Sequence, residues 1–217
     1  MQDFAAAREA MVDRQVRPSD VTRYGIVDSM LRVPRELFVP ASRRAVAYAG
    51  EAVEIARDRW LLDPRVFAKL IDAAEIGPGD AVLDIGCGYG YSSAVLSPLC
   101  RAVIAVESDP SMAASAEANL REQGYDNVAV LERPLHEGAP DEAPFDVILI
   151  EGGVGRIPDA LADQLAEDGR LVAVFMKGGF GRAEVHVKSG EHLAGRWAFD
   201  AAAPILPGFE ARASFAF

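Results

Sequence analysis

The stretch VLDIGCGYG, residues 82–90, constrains the fold more than any other part of the chain. VLDI is a short apolar run that reads as a buried strand. Gly86, Gly88 and Gly90 follow, and YSSAVLSPLC then reads as a helix. A strand that passes through a glycine loop into a helix opens a βαβ unit, because parallel strands need a crossover long enough to hold a helix. The rhythm repeats downstream. AVIAVES, NVAVLE, DVILIE and RLVAVFM read as further strands, with PSMAASAEANLREQ and IPDALADQLAEDG as helices between them. This alternation predicts an α/β fold with a mostly parallel sheet covered on both faces. AEVHVKS alternates apolar and polar residues and reads as an antiparallel edge strand. Residues 190–217 are ambiguous, with WAFDAAAPILPGF and ARASFAF offering one more strand.

Ahead of the glycine loop the pattern is helical. Residues 3–16 and 20–32 read as helices, with Met11, Val12, Ile26, Met30 and Leu31 as apolar faces and Ser19 or Asp20 as N-cap of the second. Residues 33–63 look irregular, and RDRWLL (57–62) reads as a loop. Asp63-Pro64 then starts a helix, PRVFAKLIDAAEI, since Asp caps free N–H groups and Pro suits the first helical position. Asp109-Pro110 repeats the device.

Composition excludes several classes. The 217 residues suit one domain, with 1–78 as a helical N-terminal extension and 79–217 as the α/β core. A net charge of -11 argues against a nucleic-acid binder. No apolar run approaches the roughly 20 residues of a membrane span. MQDFAAAREAMVDRQV lacks the apolar stretch of a signal peptide, and two cysteines make no disulfide framework. A reducing cytoplasm is the expected location.

The glycine loop carries the chemistry. Glycines let a backbone approach a ligand closely, and the following helix N-terminus offers N–H donors to an anionic group. The spacing is G-x-G-x-G. A dinucleotide fingerprint would need glycine at 91, where the chain has Tyr91, so a nicotinamide-dependent oxidoreductase is disfavoured. Asp84 lies inside the motif and Glu107 ends the next strand, where an acid can accept from both ribose hydroxyls.

This pattern resembles motif I and the following acid of class I S-adenosylmethionine-dependent methyltransferases. MVDRQVR (11–17), DSMLRVPRELFVP (28–40), AYAG (47–50), GYDNV (124–128), APFDVIL (143–149), RIPDALADQL (156–165) and DGRLV (168–172) resemble, in order, the protein-L-isoaspartate O-methyltransferase family. The resemblance implies a three-layer Rossmann-like sandwich with a seven-stranded sheet, the N-terminal extension covering the cofactor cleft. It implies S-adenosylmethionine as cofactor, held by Asp84, Gly86, Cys87, Gly88, Gly90, Glu107, Ser108 and Arg133, with no metal. It also implies a protein or peptide acceptor, methylated on an L-isoaspartyl carboxylate as in protein repair, and the expected chain is a monomer without nucleic-acid or membrane partners.

The departures fall at the acceptor side. Where the family has a segment resembling GQTISQP, this chain has RWLLDP, so the family's threonine falls on Trp60 and its serine on Leu62. The family's adenine-contacting aspartate falls on Arg133, and its Thr-Ala-Ala-type run on Glu151-Gly152-Gly153. Acceptor-site candidates are therefore Arg59, Trp60, Leu62 and Glu151. A charged Glu151 about 4 Å from an acceptor carboxylate would repel it by about 4 kcal/mol at an effective dielectric near 20. Arg57 or Arg59 would offset that by pairing with the acceptor. RDRWLL is either a rebuilt acceptor wall or a packed cover with solvated arginines. Glu151 is either a crevice acid or a solvated loop acid, and Arg133 either stacks near adenine or lies exposed. Cys87 reads as a small residue between glycines rather than a reactive thiol. His136, His186 and His192 lack metal-ligand spacing. Two further readings stay open: the same fold redirected to another acceptor, and a non-catalytic S-adenosylmethionine-binding protein.

Overall fold

A computed structural model of the protein describes residues 3–211. The helices are α1 (Phe4–Met11), α2 (Tyr24–Arg32), α3 (Pro64–Ala74), α4 (Tyr91–Leu96), α5 (Pro110–Glu122) and α6 (Asp159–Asp163). The strands are β1 (Val53–Ala56), β2 (Arg59–Leu61), β3 (Ala81–Ile85), β4 (Ala102–Glu107), β5 (Val128–Glu132), β6 (Phe145–Val154), β7 (Leu165–Lys177), β8 (Phe180–Ser189) and β9 (His192–Asp200). Seven strands form one sheet in the order β5-β4-β3-β6-β7-β8-β9. Pairing is parallel from β5 to β7 and antiparallel beyond.

This is the expected α/β class. The chain order reverses at β3, between β4 and β6, so a crevice opens beyond the carboxyl ends of these strands. The register fixes what lines it. Ile85 is level with Val106 and Ile150, which leaves Gly86, Glu107 and Glu151 as the next row. Asp84 pairs with Ala105 and Leu149, so by strand alternation Glu107 and Glu151, two residues further on, project from the same face as Asp84. That face packs Val82, Val103, Val147 and Leu149 against Phe67, Leu70 and Ile71 of α3 and Tyr91 of α4. The opposite face packs Leu83, Ile85, Ile148 and Ile150 against Leu161, Leu206 and Phe209.

Local chemistry explains the starts of α3 and α5. Asp63 accepts from the N–H groups of Arg65 (2.7 Å) and Val66 (3.1 Å), and Pro64 occupies the first position of α3. Asp109 caps α5 in the same way through Met112.

Five expectations change. The helix expected over 3–16 is α-helical only to Met11 and continues as a π-helical turn, Val12–Val16. Neither Ser19 nor Asp20 caps the second helix: Asp20 is left-handed (φ 66°) and α2 begins at Tyr24 behind Arg23. RDRWLL is not a loop but half of a hairpin, with β1 and β2 paired antiparallel around Arg57-Asp58. The helix expected over IPDALADQLAEDG stops at Asp163. Gln164 is buried there and its side chain bonds Ala139, Glu137 and Ala160, and Leu165 already starts β7. AEVHVKS lies inside the sheet rather than at its edge, because β9 covers it. Of the ambiguous tail, His192–Asp200 forms that strand and Ile205 bridges Gly153, while ARASFAF beyond Ala211 lies outside the described residues. Among the described residues, no helix is long and apolar enough to cross a membrane.

Candidate active site

The glycine loop turns where β3 ends. Gly86 donates to the Val106 carbonyl at 2.8 Å, and Gly86 and Gly88 are left-handed (φ 84° and 59°). A β-carbon on Gly88 would lie 2.7 Å from Ile55 Cδ1, so a side chain here is strained in conformation and requires the Ile55 tip to shift. Gly90 packs the start of α4 on Leu120 of α5.

Asp84 is fully buried. Its Oδ2 accepts from the hydroxyls of Ser92 and Ser93, each at 2.6 Å, while Oδ1 has no partner. Burial pushes its carboxyl up to about 6; the two serines pull it down and Glu107 pushes it up further. Ser92 and Ser93 went unremarked in the sequence, and the only signal for them is their place at the opening of the helix after the glycine loop.

Glu107 is also fully buried, and both of its oxygens are engaged. Oε1 accepts from Arg59 Nη1 and from the N–H groups of Ser108 (2.8 Å) and Asp109 (3.0 Å). Oε2 accepts from Arg59 Nη2 (2.6 Å) and Gly88 N–H (2.9 Å). Arg59 is 4% exposed, in the inward phase of β2 beside Leu61. This is a two-pronged, charge-assisted pair of the strong kind. Arg57 stands in solvent against Asp58 at 3.5 Å and reaches none of these groups.

Glu151 is buried rather than a solvated loop acid, and its Oε1 has no partner. Burial raises its pKa well above the usual carboxylate range, Asp84 adding to the shift and Arg35 opposing it. Leu62 is 2% exposed and belongs to the core, whereas Trp60 is half-buried opposite Glu54. Arg133 donates its N–H to the Glu107 carbonyl at 3.0 Å and turns its side chain to Asp141 at 3.0 Å. Ser108 contributes a backbone donor and its side chain is exposed. Cys87 is buried, and burial followed by the charges of Asp84 and Glu107 pushes its thiol well up, so no reactive thiolate forms. His186 contacts Glu184 and lies against Phe175. Among the described residues, no cluster of His, Cys, Asp and Glu could hold a metal.

The site therefore joins a glycine cradle, a buried carboxylate with a free oxygen, a second carboxylate one strand away and a buried acid in β6, one residue past its last pair with β3. The family model described as protein-L-isoaspartate(D-aspartate) O-methyltransferase matches residues 6–195. The chain belongs to this family. A protein-L-isoaspartate O-methyltransferase of Roseiflexus castenholzii is 41% identical over 170 residues, 78% of each chain. One from Koribacter versatilis is 38% identical over 169 residues, 78% of this chain and 76% of that one. A solved structure with the same family name superposes with a TM-score of 0.79 at 25% identity, covering 93% of this chain and 66% of that one. A Plasmodium falciparum structure of that name, in complex with S-adenosyl-L-homocysteine, has a TM-score of 0.76 at 18% identity and shares the fold, over 95% of this chain and 99% of that one. The O-methyltransferase family thus accounts for the order of the short motifs, from MVDRQVR to DGRLV, along the chain.

Proposed function

We propose that this chain transfers a methyl group from S-adenosylmethionine to the carboxylate of L-isoaspartyl residues in proteins or peptides. The observation that carries this reading is the family match across residues 6–195. The buried donor set fits the cofactor in kind. Asp84, with a free buried oxygen beside the glycine loop, is assigned the methionine end together with Gly86, Cys87, Gly88 and Gly90. Glu107 and Ser108 are assigned the ribose, and Arg133 the rim of the adenine site. When bound, S-adenosylmethionine supplies an electrophilic methyl group on a sulfonium.

The chain's own residues orient and desolvate the acceptor, which as a carboxylate is already ionised and needs no base. Trp60, half-buried in the outward phase of β2, is assigned to the acceptor side, while Leu62 packs in the core. Burial favours the protonated form of Glu151, the form that does not repel an acceptor carboxylate and can donate a hydrogen bond to it. The loss of hydroxyls at Trp60 and Leu62 favours, as a second reading, the same transfer to a different carboxylate acceptor.

Labelled-methyl transfer to matched aspartyl and isoaspartyl peptides tests the proposal. Base-labile label on the isoaspartyl peptide alone is the expected result, and label on neither overturns it. We further assign residues 1–217 to one domain, with 1–78 as its helical extension, acting as a cytoplasmic monomer without nucleic-acid partners.

A further inference from the structure

Three side chains lie against Gly86 and Gly88 of the glycine loop. A β-carbon on Gly86 would meet Leu206 Cδ1 at 3.2 Å and Arg59 Nη2 at 3.4 Å, and one on Gly88 would meet Ile55 Cδ1. Ile55 and Arg59 both come from the β1–β2 hairpin, whose strands, among the described residues, pair only with each other. Arg59 takes an oxygen-by-oxygen grip on Glu107, the carboxylate assigned to the ribose. Two ribose hydroxyls and one guanidinium cannot both occupy those lone pairs, because Oε1 and Oε2 already carry three backbone N–H groups between them.

We propose that Arg59 is an internal competitor of the cofactor: it holds Glu107 in the cofactor-free protein, and the ribose binds only as Arg59 leaves, carrying the β1–β2 hairpin with it. This rests on the reading that Glu107 receives the ribose. Arg59 thereby sets cofactor affinity without being a catalytic residue. The hairpin is suited to such movement. It is small, its turn at Arg57-Asp58 is exposed, and an arginine stands in a strand phase otherwise given to the apolar Val53, Ile55 and Leu61. If the closed arrangement holds about 90% of the population, the apparent Kd is raised about tenfold.

Calorimetry with S-adenosylhomocysteine, which has no methyl to transfer, tests this on wild type, Arg59→Ala, Arg57→Ala and Arg59→Ala combined with Glu107→Gln. Arg59→Ala should bind about tenfold more tightly or better, with Arg57→Ala unchanged. Equal or weaker binding by a folded Arg59→Ala overturns the proposal, as does its failure to bind at all. Undiminished binding when Glu107→Gln is added to Arg59→Ala, where the competitor is already gone, instead overturns the underlying assignment of the ribose, so the two failures are distinguishable. Should Arg59→Ala not fold, Trp60 serves as the reporter in an otherwise native Trp197→Phe chain. Saturable S-adenosylhomocysteine binding should shift Trp60 emission as the hairpin moves, and binding without any shift overturns the proposal.

Discussion

Arg35 donates from Nη2 to the Leu62 carbonyl at 2.6 Å, across 27 residues of chain. The same guanidinium donates from Nε to the Ala47 carbonyl at 2.6 Å and stands 4.6 Å over the Tyr91 ring. One fully buried cation thus joins VPRELFVP, AYAG, the end of the hairpin and the start of α4. It anchors the chain just after β2, at Leu62.

Removing that cation should unfasten all four. Arg35→Met leaves two carbonyls without their donor, at about 1–3 kcal/mol for each unsatisfied buried group. The expected loss is about 2–6 kcal/mol of unfolding free energy in urea. A loss below about 0.5 kcal/mol, the size of an ordinary surface substitution, contradicts the placement.

Asp84 makes stability depend on pH in a defined direction. Its carboxyl rises from an ordinary 3.8 to about 6 in the folded chain, because burial outweighs the two serine hydrogen bonds. The folded state therefore holds the proton more tightly. The contribution is complete below the unfolded value and is lost as pH rises through the folded one. That rise corresponds to about 3 kcal/mol. The wild-type unfolding free energy minus that of Asp84→Asn should fall by that order between about pH 4 and pH 7. A flat difference would mean that Asp84 titrates normally.

Gly88 separates backbone strain from ligand contact. With φ at 59°, an alanine there costs about 1–2 kcal/mol for the left-handed conformation alone. The added carbon also meets Ile55 Cδ1 at 2.7 Å, which pushes on the hairpin. Gly88→Ala should lose stability by that order, read from thermal unfolding. It should also bind S-adenosylhomocysteine at least about tenfold more weakly, equivalent to about 1.4 kcal/mol. Unchanged affinity would place the loop outside the cofactor site.

The sheet was readable because its signals are local. Apolar runs of five or six residues, Asp63-Pro64, Asp109-Pro110 and the three glycines each state their own geometry. The hairpin was not readable: β1 and β2 have four and three residues, and Arg59 breaks the apolar phase that would have marked a strand. Its inward turn depends on Glu107, 48 residues away. Glu151 was open for the same reason. Its burial follows from the register of β6 on β3, which no stretch of sequence around it encodes. Likewise the pairing of Ser92 and Ser93 with Asp84 exists only once the glycine loop folds α4 back over the end of β3.

Trp60 and Leu62 replace the two hydroxyls of the resembling segment, yet the structure gives them different work. Leu62 is 2% exposed and packed in the core, so Leu62→Ser loses apolar burial and places a hydroxyl among apolar neighbours. The expected cost is about 2–5 kcal/mol, as for large-to-small core substitutions. Trp60 lies in the outward phase of β2 opposite Glu54 and is half-buried, so Trp60→Thr should cost about 1 kcal/mol or less. Its effect belongs in recognition: KM for an isoaspartyl peptide should move while the Kd for S-adenosylhomocysteine stays put. Urea midpoints and steady-state kinetics on the two variants check this division. A Leu62→Ser chain as stable as wild type would show that the inner position is an open acceptor wall after all. A Trp60→Thr chain with unaltered KM would show that the acceptor never reaches the hairpin.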